Sequence, residues 1–148
     1  MYDAKLLRES FELALSREPE LISHFFGDFF RMYPEVEPIF AWAAREEQSA
    51  QLNEALAEVV ARLDDDVWLG ATMRQHGHRQ WASGVTAGTY PKFGAAMLRT
   101  LSDISGAEWS PVVEGQWTSA FTKIATLMLE GAAVEAPKTR RRGVSLTE

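Results

Sequence analysis

Cysteine is missing from the 148 residues. That absence excludes disulfides, thiolate zinc sites, iron–sulfur clusters and cysteine nucleophiles together. Long apolar runs are missing too: no stretch approaches the ~20 residues that span a bilayer, and Met1–Ser10 carries charges where a secretion leader needs an apolar core. The expectation is neither a membrane span nor classical secretion, with the cytoplasm as the default location. Positive charge is scarce. The net charge is −6, and Lys138, Arg140, Arg141 and Arg142 against Glu148 leave a tail of +3 on a body of −9. So acidic a body is a poor surface for a phosphate backbone, and no nucleic-acid partner is expected. Catalytic motifs are absent as well: there is no Gly-rich phosphate loop, no G-x-S-x-G elbow and no H-E-x-x-H pair. Asp64, Asp65 and Asp66 lack the spaced oxygens and turn glycine of a calcium loop and read as charge at a helix end.

What remains is helical spacing almost throughout. Leu7, Phe11 and Leu15 recur at four-residue steps, the period of one helix face. Pro19 suits the first turn of a second helix carrying Leu21, Ile22, Phe25, Phe26, Phe29 and Phe30, which Pro34 must end near Tyr33. Pro38 cuts off a short turn ending in Ile39 and Phe40. Leu52, Leu56, Val59, Val60 and Leu63 trace one face of a long helix from about Glu46. A shorter helix covers Val67 to about Ala82, with Gly70 and Gly77 as interruptions, and Gly84 and Gly88 mark a loop. Tyr90, Phe93, Met97, Leu101 and Ile104 form the next stripe. Ser110 before Pro111 is a sharp helix start, and that last helix runs to about Gly131. No segment alternates with period two. The sequence predicts an all-α fold of six or seven helices, with one domain over 1–136 and a flexible, disordered basic tail over 137–148.

Two stretches carry a family resemblance. Phe25-Phe26-Gly27-Asp28-Phe29-Phe30-Arg31-Met32-Tyr33-Pro34, continuing to Pro38-Ile39-Phe40, resembles the second helix and following turn of single-domain bacterial globins. Gly84-Val85, Tyr90 and the run Phe93-Gly94-Ala95-Ala96-Met97-Leu98-Arg99-Thr100-Leu101 resemble their loop and sixth helix. Trp109-Ser110-Pro111 and Trp117 fit the final helix. The similarity spans roughly Leu6 to Gly131 and is greatest to globins related to flavohaemoglobin haem domains, with no flavin or nicotinamide domain expected in this chain.

The resemblance implies haem b between two helices, one histidine on its iron, and oxygen or nitric oxide on the other face. Phe40 matches the aromatic that packs on the porphyrin. Gln48 matches the distal polar position, and Leu52, one turn on, the distal apolar one. Phe26 matches a distal site that is often tyrosine; phenylalanine cannot donate a hydrogen bond, and together with Gln80 on the proximal helix this disfavours nitric oxide dioxygenase or peroxidase activity. Tyr90 matches a proximal tyrosine whose glutamate partner falls on Ala132. The departure is on the proximal helix, where Gln80 occupies the position of the iron-binding histidine; an amide oxygen is a poor iron ligand beside an imidazole nitrogen. His76 lies one turn before Gln80 on the same face, and a one-turn shift of about 5.4 Å would bring it to iron. His78, the alternative metal ligand, lies about 200° round from Gln80 and points away unless the following corner absorbs two residues.

Two function classes follow. The first is a haem-binding globin that meets a diatomic gas, suited to sensing or redox work more than to oxygen storage; the retained Phe40, Gln48, Leu52 and Tyr90 favour it. The second is a haem-less regulatory or interaction module of the same fold, its pocket collapsed or repurposed and its basic tail or a helix face engaging a partner protein or a second copy. Gln80 favours that one. Without the resemblance, Phe40, Leu52, Met97 and the five tryptophans read as core, and His76 and His78 as one partly buried and one exposed histidine with no ligand.

Overall fold

The computed structural model describes residues 2–82 and 85–147, for 81, 82 and 134–147 the backbone alone. The loop reading of Gly84 lies outside the described residues, as do the side chains of 137–148 on which the tail reading rests. Seven α-helices and two 3₁₀ turns make up the described secondary structure, with no strand among the described residues.

α1 (Ala4–Arg17) begins where the Asp3 carboxylate accepts bonds from the Lys5 and Leu6 amides at 3.1 and 3.2 Å, satisfying donors that a helix start leaves open. It buries Leu7, Phe11 and Ala14. α2 (Leu21–Met32) starts after a turn at Pro19 and Glu20; Pro19 precedes the helix instead of occupying its first turn. The helix stops at Tyr33 because Pro34 supplies no amide. A 3₁₀ turn, Pro34–Val36, runs into α3 (Glu37–Phe40), whose first turn holds Pro38. Proline there opens a helix, where its missing donor costs nothing, and does not cut a turn short. α4 (Glu46–Ala61) and α5 (Asp66–Ala82) follow. α6 (Thr89–Ser105) ends on Gly106 at φ +57°, a conformation only glycine adopts cheaply. α7 (Pro111–Thr147) begins behind Ser110, whose hydroxyl accepts from the Val113 amide at 3.2 Å.

Two packing relations set the site. α2 lies on α6 through an aromatic cluster: Phe25 sits 4.7 Å from Phe93, Phe29 5.8 Å from Phe93 and 5.5 Å from Phe40 between ring centroids. Phe25 and Phe29 are fully buried, worth about 1.5–3 kcal/mol each. Behind the rings, the buried Asp28 carboxylate accepts the Thr100 hydroxyl at 2.7 Å and pairs with Arg31. α5 lies on α7 through glycine. A Cβ at Gly77 would meet the Met128 carbonyl oxygen at 1.9 Å, and one at Gly131 would meet that of Arg74 at 1.9 Å. The two helix backbones touch at both points. Gly131 therefore serves close packing and not the helix stop expected about there, and Gly77 is a contact instead of an interruption.

Candidate functional site

These packings leave a cavity bounded by α2, α3, α4, α5, α6 and α7, with about 190 Å³ of room for water inside an opening of about 1060 Å³ that runs out to solvent. The enclosed part is smaller than the roughly 300–1,000 Å³ of most ligand pockets; an apolar lining with a few convergent polar groups is what marks this opening as a binding site. α4 contributes Leu52, Ala55, Leu56 and Val59, spaced 3, 4 and 7 residues apart as one helix face requires. Phe26 and Phe40 close the α2–α3 end, and Phe121, Ile124, Ala125 and Met128 of α7 line the base.

Polar groups gather at one corner only. His76 and Gln80, a turn apart near the end of α5, meet Thr89 and Tyr90 from the first turn of α6. The Val85 amide donates to the Gln80 carbonyl at 2.9 Å, which ties the chain leaving α5 back onto that helix. Burial pushes the His76 imidazole below its ordinary range, and the positive charge of Arg79 pushes the same way. The ring is thus held neutral, the form that presents a nitrogen lone pair. Burial pushes the Tyr90 phenol up, so it stays an O–H. That hydroxyl is buried with no protein partner. An orphaned donor costs about 1–3 kcal/mol unless something in the cavity accepts from it. Ala132 offers nothing, and Glu130 is turned to Arg74 at 2.9 Å.

Six of the residues singled out from the sequence line this one cavity: Phe26, Phe40, Leu52, His76, Gln80 and Tyr90. Two do not. Gln48 is half-buried in the first turn of α4, one turn before the helix face reaches the cavity at Leu52. His78 is half-buried elsewhere, because two residues along a helix turn a side chain about 200° away. His76 lines the cavity in the register that the Gly77 and Gly131 contacts between α5 and α7 set. Sequence reasoning missed Thr89 and Gly94. Gly94 stands one turn after Tyr90 in the same stripe, and a Cβ there would meet nothing within 4 Å, since it would project into open space.

Comparison with known proteins settles the lineage. The family model for Globin matches residues 23–128, from α2 through the cavity-lining part of α7. This chain belongs to the globin family. The globin is 25% identical over 127 residues to a flavohemoprotein of Rhizobium meliloti (strain 1021), covering 83% of this chain and 32% of that protein. It is 30% identical over 115 residues to a flavohemoprotein of Burkholderia sp. (strain TH2), covering 74% and 28%. A flavohemoprotein of Vibrio cholerae serotype O1 is 24% identical over 127 residues, covering 84% and 32%. The globin thus spans about a third of the length of the curated relatives it matches. No helix among its described residues is long and apolar enough to cross a membrane.

Proposed function

We propose that this globin binds haem b in the cavity between α4 and α5 and meets a diatomic gas there, in sensing or redox work more than in oxygen storage. The observation that carries the reading is His76: a neutral imidazole at the polar corner of an otherwise apolar cavity in a globin fold. When bound, haem supplies an iron that can hold a gas molecule. His76 is the residue to donate to that iron, since neutral imidazole is a far better ligand than the amide of Gln80. The Tyr90 hydroxyl, free of protein partners, orients groups at the same corner. Phe40, Phe26 and Leu52 exclude water, which keeps the pocket dry and the cofactor in place.

A second reading rests on Gln80, which lines the cavity at the position where the resemblance expects histidine. In it the globin is a haem-less regulatory or interaction module, and the cavity is repurposed. Titrating the purified full chain with hemin separates the two. The expected result is a sharp Soret band that His76→Ala abolishes, that added imidazole restores in that variant, and that His78→Ala leaves intact. A full band in His76→Ala overturns the assignment of the ligand. Only the broad absorbance of unbound hemin overturns haem binding itself and leaves the interaction module.

A further inference from the structure

A second group of chemistry-bearing side chains stands away from the cavity, where α2 packs on α6. His24 and Asp28 lie one turn apart on one face of α2, and Asp103 reaches them from the last turn of α6. A ligating atom of each lies within 4.8 Å of the other two, and none of the three lines the cavity. The floor of the group is fixed, because the buried Asp28 carboxylate accepts the Thr100 hydroxyl through Oδ2 at 2.7 Å. The rim is open: His24 is half-buried and Asp103 is exposed. The imidazole meets a carboxylate on each side, Nε2 with Asp28 Oδ2 at 3.5 Å and Nδ1 with Glu18 Oε2 at 3.7 Å. Both gaps exceed the roughly 2.7–3.2 Å of an N–H···O hydrogen bond.

We propose that His24, Asp28 and Asp103 hold a divalent cation of the zinc class between α2 and α6, independently of anything bound in the cavity. Two donors each about 2.0–2.1 Å from a tetrahedral zinc stand about 3.3–3.4 Å apart. The 3.5 Å between His24 and Asp28 is therefore long for a hydrogen bond and right for an ion shared by both. Asp103 closes the remaining gap by rotating its exposed side chain. One imidazole nitrogen with two carboxylate oxygens favours zinc over calcium or magnesium, which take oxygen. Glu18 stands where a metal-bound histidine keeps the carboxylate that orients its other nitrogen. Charge agrees: the carboxylates of Glu18, Asp28 and Asp103 outnumber the two guanidiniums beside them, Arg31 on Asp28 and Arg99 on Asp103 at 3.1 Å. Both arginines are more than half exposed, so they yield to an incoming ion at little cost. An ion bound there ties α2 to α6 and stabilises the fold by its own binding free energy.

The test is equilibrium dialysis of the full chain against zinc ion, paired with thermal melts with and without the metal. The expected result is one zinc per chain, not displaced by excess calcium or magnesium, with a raised melting temperature. Asp28 is left intact to keep the core, and the variants change half-buried or exposed side chains only. Glu18→Gln is expected to weaken binding about tenfold, and loss of a direct ligand in His24→Gln or Asp103→Asn to weaken it further and to remove the melting shift. Arg99→Gln is expected to act in the opposite direction, tightening zinc by up to about fivefold, because it frees the Asp103 carboxylate from one exposed ion pair. Unchanged affinity in both His24→Gln and Asp103→Asn overturns the proposal, as does a wild type that binds no zinc. Zinc that survives both substitutions and leaves with His76→Ala places the metal in the cavity and overturns it equally. Displacement by calcium overturns the class of ion.

Discussion

Gly77 of α5 rests directly on the main chain of Met128 in α7, with its missing Cβ only 1.9 Å short of the Met128 carbonyl oxygen. His76 is the neighbour of that contact and Met128 lines the cavity. The backbone touch therefore fixes how far the imidazole stands from the base of the pocket. Gly131 against Arg74 repeats the contact less than one turn from Met128, and two fixed points prevent α5 from sliding or rolling on α7.

Gly77→Ala and Gly131→Ala are expected to destabilise the hemin-free protein by about 3 kcal/mol or more each, because main chain must separate to admit the methyl. Gly115→Ala, an exposed α7 glycine with nothing within 4 Å of its Cβ, is expected to gain about 0.5–1 kcal/mol through reduced backbone freedom. Urea titrations of the three variants check the ordering; equal effects at all three sites would refute the close approach.

The order of elements was legible because each carries its own period and its own punctuation. Pro34 ended α2, and Ser110 with Pro111 opened α7, by steric and capping rules that need no tertiary context. Pro38 and the two contact glycines were misread for the opposite reason. Proline at a first helical turn and proline at a turn's end look alike in sequence, and a glycine that admits a neighbouring backbone looks like one that breaks a helix. The cavity was half legible: the resemblance pointed to Leu52 and Gln80, and helical phase then set His76 beside Gln80 and turned His78 away. Gln48 shares the phase of Leu52, yet the cavity begins a turn later, and where a cavity starts along a helix is set by what packs on it.

Asp28 is a buried carboxylate that accepts the fully buried Thr100 hydroxyl and joins α2 to α6 behind the aromatic cluster. Asp28→Ala is expected to cost about 3 kcal/mol, since it leaves that hydroxyl unpartnered in the core. Thr100→Val is expected to cost less, about 1–2 kcal/mol, because Arg31 still pairs with the carboxylate. The double variant should recover part of the sum; a double-mutant cycle in urea that shows strict additivity would argue that the bond contributes nothing.

Tyr90 makes a prediction of opposite sign. Its hydroxyl is buried without a protein partner, so Tyr90→Phe is expected to leave the hemin-free protein unchanged or up to about 1 kcal/mol more stable. If the hydroxyl serves a cofactor in the cavity, the gain disappears once hemin is added. Thermal melts of wild type and variant, with and without hemin, give the four numbers needed.

The last expectation concerns acid. Burial, with Arg79 adding to it, holds His76 below its ordinary value near 6.5, so the folded protein refuses a proton that the unfolded chain accepts. The contribution of His76 to stability is therefore fully present above about pH 6.5 and declines as pH falls below it, because the unfolded state then binds more protons than the folded one. Urea midpoints of the hemin-free protein should fall between about pH 7.5 and 5.5. His76→Leu should flatten that part of the curve while leaving the slope due to carboxylates at lower pH. An identical pH profile in the variant would show that the imidazole is as well hydrated in the fold as outside it, and would remove the argument that the cavity keeps its nitrogen free.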